Sequence, residues 1–399
     1  MPPSTEKEEL PLRATRPSDD SLRIVMNRNA SGIIRCLVLL QLFSALAAGQ
    51  TRRVDLRDWG YRAPESPSAQ FQTQLSTQII SVGQHGDILT GFVTRDRTGL
   101  ATRKLPPLSL HVVRFTKDGE FLSQEIIPTP SWNENAILFG ADGDLLIRTG
   151  TKLSLLSPQM QRLADRELPL TLNGNHVYWR ILPLPNRSGF LLHNLRGSDE
   201  SIALYNWKDL TAIRECAYSP HDEPLSVWNK NILSFRPGRK ENPLRREVTI
   251  SEICGPFQFT YSWDEEPMSA QLADDSSIIL AGGGPSVSLV VNEKVQWKHV
   301  FNKKSDVVSN HVEVSADGQV LAMAVKEFRG GSRVLDISSK LKSIEVVVYQ
   351  AKTGEKVLAV SVNPTPSSSF DFALSPLGDL LAIVSDGFME IVPISPATN

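Results

Sequence analysis

Side chains able to do chemistry are scattered along this chain, not gathered into a motif. Seven histidines stand at His85, His111, His176, His193, His221, His299 and His311. A metal centre would need several of them brought together and oriented by further hydrogen bonds, and their spacing supplies no such grouping. Asp142-Gly143-Asp144 matches the opening of a calcium loop, but the remaining oxygen ligands do not follow at regular intervals, so it reads as a hairpin turn. His221-Asp222-Glu223 reads as an acidic, solvated loop tip. Gly282-Gly283-Gly284 is followed by Pro285 and lies between apolar strands, so it is a turn and not a phosphate cradle. No GxSxG elbow, HExxH or phosphate-binding loop occurs. We therefore assign no catalytic, cofactor or metal residue and expect no cofactor.

One pattern does stand out. Three segments are long and basic: RDRTGLATRK at 95–104, RPGRKENPLRR at 236–246 and KEFRGGSRVLDISSKLK at 326–342. They carry Arg95, Arg97, Arg103 and Lys104; Arg236, Arg239, Lys240, Arg245 and Arg246; and Lys326, Arg329 and Arg333. The chain as a whole is nearly neutral, with 42 basic and 44 acidic residues, so nucleic acid is not an expected partner. A local positive field would instead steer an anionic protein or polymer.

The elements that must position these segments are strands. HVEVSADGQVLAMAV at 311–325 and FDFALSPLGDLLAIV at 370–384 are two copies of one phrase: alternating strand, tight turn, apolar strand. Fainter copies turn at His85-Gly86-Asp87, Asp142-Gly143-Asp144, Ser188-Gly189 and Asp274-Asp275, with a weaker one at Asp222-Glu223-Pro224. Each is followed by a third strand: LSLHVVRF (108–115), KLSLLSP (152–158), SIALYNW (201–207), REVTISEI (246–253), VSLVVNE (287–293), SIEVVVYQ (343–350) and FMEIVPI (388–394). Seven units result, with the ~40–45-residue repeat of four-stranded blades.

SADGQVLAMAV with IEVVVYQAKTGEKV, and SPLGDLLAIVSDGFMEIV, resemble WD-repeat blades, while VVRFTKDGEFLSQ at 112–124 is closer to an NHL-repeat blade. The Gly-His pair of true WD repeats is absent, and Trp-Asp does not recur from unit to unit. The resemblance implies an all-β fold: a single propeller of seven four-stranded blades. Such families mostly serve as interaction platforms, with a minority of lactonases, lyases and hydrolases. In a propeller the three basic segments, each joining a second strand to a third, project from one face. That face is the expected binding surface. The competing expectation is a lactonase- or lyase-type enzyme with acidic and histidine side chains converging at the channel mouth. Trp179, Trp207 and Trp297 are expected in blade packing, whereas Trp132, Trp228 and Trp263 fall near blade junctions, where flat rings can serve a sugar platform.

Only SPATN follows the last strand, so the seventh blade lacks its fourth strand, and an unpaired edge is a liability. RRVDLRDW at 52–59 is a short alternating segment without a sheet of its own, and it is expected to close the ring. Before it, MNRNASGIIR and the apolar run CLVLLQLFSALAA read as a signal peptide over 26–49, ending on small residues. Residues 1–25 are polar and read as an upstream extension, with Met26 the expected start. The propeller is expected over 50–399, secreted or periplasmic and monomeric, touching the membrane only through the signal. Cys216 and Cys254 remain after cleavage; export permits a disulfide between them, and two buried thiols are the alternative.

Overall fold

The computed structural model describes residues 50–395 except 63–78, 96–106, 133, 169–178, 195–199, 219–222, 237–245, 264–266, 283–285, 302–305, 329–340 and 367–369. The calls on the signal, the upstream extension, His176, His221 and most of the three basic segments lie outside the described residues.

The strands form seven four-stranded antiparallel sheets, and six of them follow strict chain order from the innermost strand outwards. The first blade, for example, runs Ile80–Val82, Ile88–Arg95, Leu108–Phe115 and Phe121–Thr129. The seventh breaks that order. Its three consecutive strands, Phe370–Leu374, Leu380–Ser385 and Phe388–Pro393, are completed by Arg52–Asp55 from the other end of the chain. Arg52 pairs with Ile391 and Asp55 with Phe388. The expected closure is therefore present, and a 3-10 turn at Leu56–Trp59 drops a fully buried Leu56 into the seam beyond it.

Why the second strands read as unbroken apolar runs follows from the packing. Each blade is covered on both faces by its neighbours, so residues of both parities are buried. Val320, Ala322 and Ala324 face the seventh blade, while Leu321, Met323 and Val325 face the fifth. The core is seven separate clusters, one at each seam between blades. The paired phrase is the inner strand, turn and second strand of blades six and seven. In both, a serine opens the turn: Ser315 Oγ and Ser375 Oγ accept the backbone N–H of Val320 and Leu380.

Two turns sit elsewhere than expected. In blade four, Glu223 and Pro224 begin the inner strand, and the turn falls after Trp228, where Asn229 takes the left-handed conformation (φ 51°). In blade three the left-handed residue is not Gly189, which already lies in a strand, but Arg187 (φ 55°). Asparagine visits that region through local hydrogen bonding, and arginine has no such excuse.

The two cysteines are bonded. Cys216, on the outer strand of blade three (Ala212–Ala217), meets Cys254, in the turn between the third and outer strands of blade four, with Cα atoms 5.6 Å apart. The bond joins neighbouring blades at their outer edge.

Candidate functional site

Antiparallel order fixes the two faces. Turns from inner to second strands lie at one end of the central channel, and connections from second to third strands lie at the other. The three basic segments therefore leave from a common face, rooted at Arg95 and Leu108, at Arg236 and Arg246, and at Phe328 and Leu341. Arg97, Arg103, Lys104, Arg239, Lys240, Arg245, Arg329 and Arg333 lie outside the described residues. Arg236 and Arg246 end and begin strands and are not loop residues.

Lys326 also departs from its expected place. It lies inside the second strand of blade six (Val320–Phe328) and continues the row Val320, Ala322, Ala324 at the top of the seam with blade seven. Its ammonium sits 5.9 Å from the Phe370 ring. Burial lowers its pKa, against the pull of the Asp371 charge. Arg95 ends its strand with its guanidinium 5.6 Å from the Trp132 ring. Neither cation has a carboxylate partner among the described residues. Of the described acids of this face, Glu200 accepts from His193 Nε2 at 3.1 Å and Glu134 acts on the buried Arg148, whereas Glu327 pairs with Lys342 Nζ at 2.7 Å. Burial lowers the Arg148 pKa to about 10.

Among the described histidines, His111 and His193 are satisfied within their own blades and His299 by the next blade. His111 bonds Thr94 Oγ1 (2.8 Å) and Gln124 (3.2 Å), and its burial lowers its pKa. His299 Nε2 reaches the Gly354 carbonyl. His311 differs because it lines the channel. It lies on the inner strand of blade six (Asp306–Val314), within the bulge between Val308 and Val312 that breaks the register. Such bulges re-aim side chains. Its Nδ1–H donates to Asp371 Oδ1 of blade seven at 3.1 Å, and its Nε2–H to Glu313 Oε1 at 2.9 Å. The ring stacks on Phe372 with centroids 4.6 Å apart, and the Phe372 N–H holds Asp371 Oδ1 at 3.0 Å.

Burial alone would discharge this imidazole. The hydrogen bonds and charges of Asp371 and Glu313 overcome it and push the pKa up to about 10. His311 is thus an imidazolium near neutrality, with both N–H groups used. The geometry meets the enzyme expectation halfway, since three acidic or histidine side chains do converge on the channel. However, they converge on the histidine's own two nitrogens, on opposite sides of its ring, so they cannot share a metal. Among the described residues no group of three such side chains is placed to hold one. A histidine held charged to so high a pH is also a poor general base near neutrality. The cluster acts as an electrostatic staple between two inner strands.

The rest of the channel is a cavity of about 150 Å³ that all seven inner strands line. Its wall mixes apolar side chains, Leu138, Leu182, Leu225, Val227 and Leu272 among them, with polar surface of at least equal extent. The polar groups are Ser81, Arg187, Ser226, Trp228 and Gln271, besides the His311 cluster. Trp228 is accordingly a channel residue, at the end opposite the basic face. Trp207 and Trp297 pack at seams as expected, the former in the seam of blades two and three. The signal that marks Arg187 in the sequence is the phrase PNRSG, in which arginine fills the slot where the other phrases put glycine.

Seven four-stranded blades around a channel make this chain a seven-bladed β-propeller. No family model and no curated protein matches it. Among solved structures, a chain of the "Crystal Structure of Mitotic Checkpoint Complex" is similar at 12% identity and a TM-score of 0.53, over 98% of this chain and 99% of that one. Chaetomium thermophilum Raptor is similar at 10% identity and a TM-score of 0.52, over 82% of this chain and 28% of that one. At such identity the likeness is one of fold.

Proposed function

We propose that this propeller is an exported binding module that recognises a protein or an anionic polymer with the face bearing its basic second-to-third-strand connections. The observation that carries the reading is the pair of cations at the roots of those connections: among the described residues Arg95 and Lys326 form no salt bridge, while Glu134 and Glu200 act on Arg148 and His193. An unpaired cation on a rigid scaffold is available to an incoming anion, and loops on such scaffolds commonly carry binding. The similar chain from the mitotic checkpoint complex belongs to an assembly, which supports a protein as the partner. The disulfide and the apolar run at 36–48 support export.

The test is capture. The mature chain and a variant with Arg236, Arg239, Lys240 and Arg245 each changed to Glu would be immobilised and exposed to cell-envelope extract and to a defined polyanion such as heparin. The expected result is a partner retained by the native chain and lost by the variant. Equal retention by both would refute the role of this face, and retention of heparin alone would identify a polymer in place of a protein.

A further inference from the structure

We propose that the opposite end of the channel is a binding site for a small monocarboxylate, anchored by the Arg187 guanidinium. This inference does not rest on the basic face, which lies at the other mouth.

The argument begins with the backbone. In the inner turns of blades one, two, six and seven the residue whose N–H closes the turn is glycine: Gly86, Gly143, Gly318 and Gly378, all at positive φ. Blade three makes the same bond, from the Arg187 N–H to the Leu184 carbonyl, with arginine at φ 55°. A side chain in that conformation is strained. The arginine is then aimed into the channel, where its Nη1 is buried and has no hydrogen-bond acceptor among the described residues. An orphaned donor of this kind adds a further cost, larger when it is charged. Among the described residues the acid acting on it is Glu313, whose Oε1 already accepts from His311, and the two form no ion pair within bonding reach. Two penalties at one residue are the mark of a site whose partner is supplied from outside.

The surroundings fit a carboxylate. Ser81 Oγ and Ser226 Oγ each accept a backbone N–H from the next blade, of Phe139 and Leu272, which leaves their own protons to donate. The Trp228 indole and the Gln271 amide line the same cavity and make no hydrogen bond among the described residues. These donors are interleaved with leucine and valine side chains in a confined cavity, where a charged hydrogen bond is strengthened and the hydrocarbon end of a small acid finds apolar contact. A guanidinium fork matches a planar carboxylate bidentately. The charge count disfavours a dianion. The two cations His311 and Arg187 already face two carboxylates, Glu313 and Asp371, so each added negative charge is uncompensated and a monoanion adds only one. A cavity of about 150 Å³ holds roughly ten waters or a ligand of a few heavy atoms.

The experiment compares the mature chain with Arg187→Gly and Arg187→Lys by calorimetric titration and thermal unfolding. The probes are formate, butyrate and benzoate, with butyramide and inorganic phosphate as controls. We expect saturable binding of at least one carboxylate to the native chain, at least tenfold weaker binding to Arg187→Gly, and no binding of butyramide. Arg187→Gly should also unfold at the same or a higher temperature than the native chain, because it removes both the left-handed strain and the orphaned cation. Any of four results would overturn the proposal: no carboxylate binding to the native chain below about 10 mM, equal binding by Arg187→Gly, equal binding of butyramide or phosphate, or a clear loss of stability in Arg187→Gly.

Discussion

The charged histidine between blades six and seven should give the protein an alkaline weakness of calculable size. His311 begins near 6.5 in the unfolded chain and is held at about 10 in the fold by Asp371 and Glu313. A group whose pKa is raised on folding contributes stability that is complete below its unfolded value and vanishes as pH climbs through its folded one. The contribution therefore stands in full below about pH 6.5 and is gone above about pH 10. Each pH unit between those limits removes up to about 1.4 kcal/mol, so that about 2.5 kcal/mol should disappear between pH 7 and pH 9. For a domain of about 350 residues the unfolding entropy near Tm converts this to a shift of about 3–4 °C. The assay is calorimetric Tm across pH 6–10 for the native chain and for His311→Gln, whose amide does not titrate. All other groups are common to both, so the difference between the two curves isolates His311. It should be large at pH 6.5 and shrink steadily towards pH 10. Proton NMR of the imidazole ring supplies a direct reading: the His311 resonance should stay fixed from pH 5 to pH 8.5. A Tm difference constant across this range, or a ring that titrates near 6.5, would refute the staple.

Further outcomes can be checked on the same preparations. Leu56→Ala empties a fully buried position beneath the closing strand and should cost about 2–5 kcal/mol, and deleting residues 50–60 should lower Tm further; an unchanged Tm in either case would mean that the seventh blade does not need its fourth strand. Reducing Cys216–Cys254, which closes a loop of sequence separation 38, should cost about 4 kcal/mol by chain entropy. Reductant should thus lower the Tm of the native chain by several degrees and leave the Cys216→Ala/Cys254→Ala variant unmoved, whereas two free thiols in the protein purified without reductant would contradict the bond.

Much of the architecture is legible without coordinates because it is written locally. Alternation within five or six residues marks strands such as Leu108–Phe115, and glycine at a left-handed turn marks Gly318 and Gly378. The role of Arg52–Asp55 follows from counting, since a blade with three strands needs a fourth. The misplaced turn at residues 222–224 shows the limit of that grammar: where blade four uses Asn229 in place of glycine, the acidic tip looked more like a turn than the turn itself. Whether the cysteines bond was equally out of reach, because 38 residues of separation say nothing of whether two Cα atoms finish 5.6 Å apart.

The channel is what the sequence could not determine. His311 and Asp371 are 60 residues apart and belong to different blades, and Arg187 meets the field of Glu313 only because the ring sets blade three and blade six around one cavity. Read in sequence, Arg187 is one cation in a turn, Lys326 one more in a basic segment, and His311 one histidine of seven. Period-two patterning decides which face of its own strand a side chain takes, and so it fixed the blades. It carries no information on what seven inner strands bring together once the ring closes. That was decided by the closure itself, which removes these groups from water and makes their charges answer to one another.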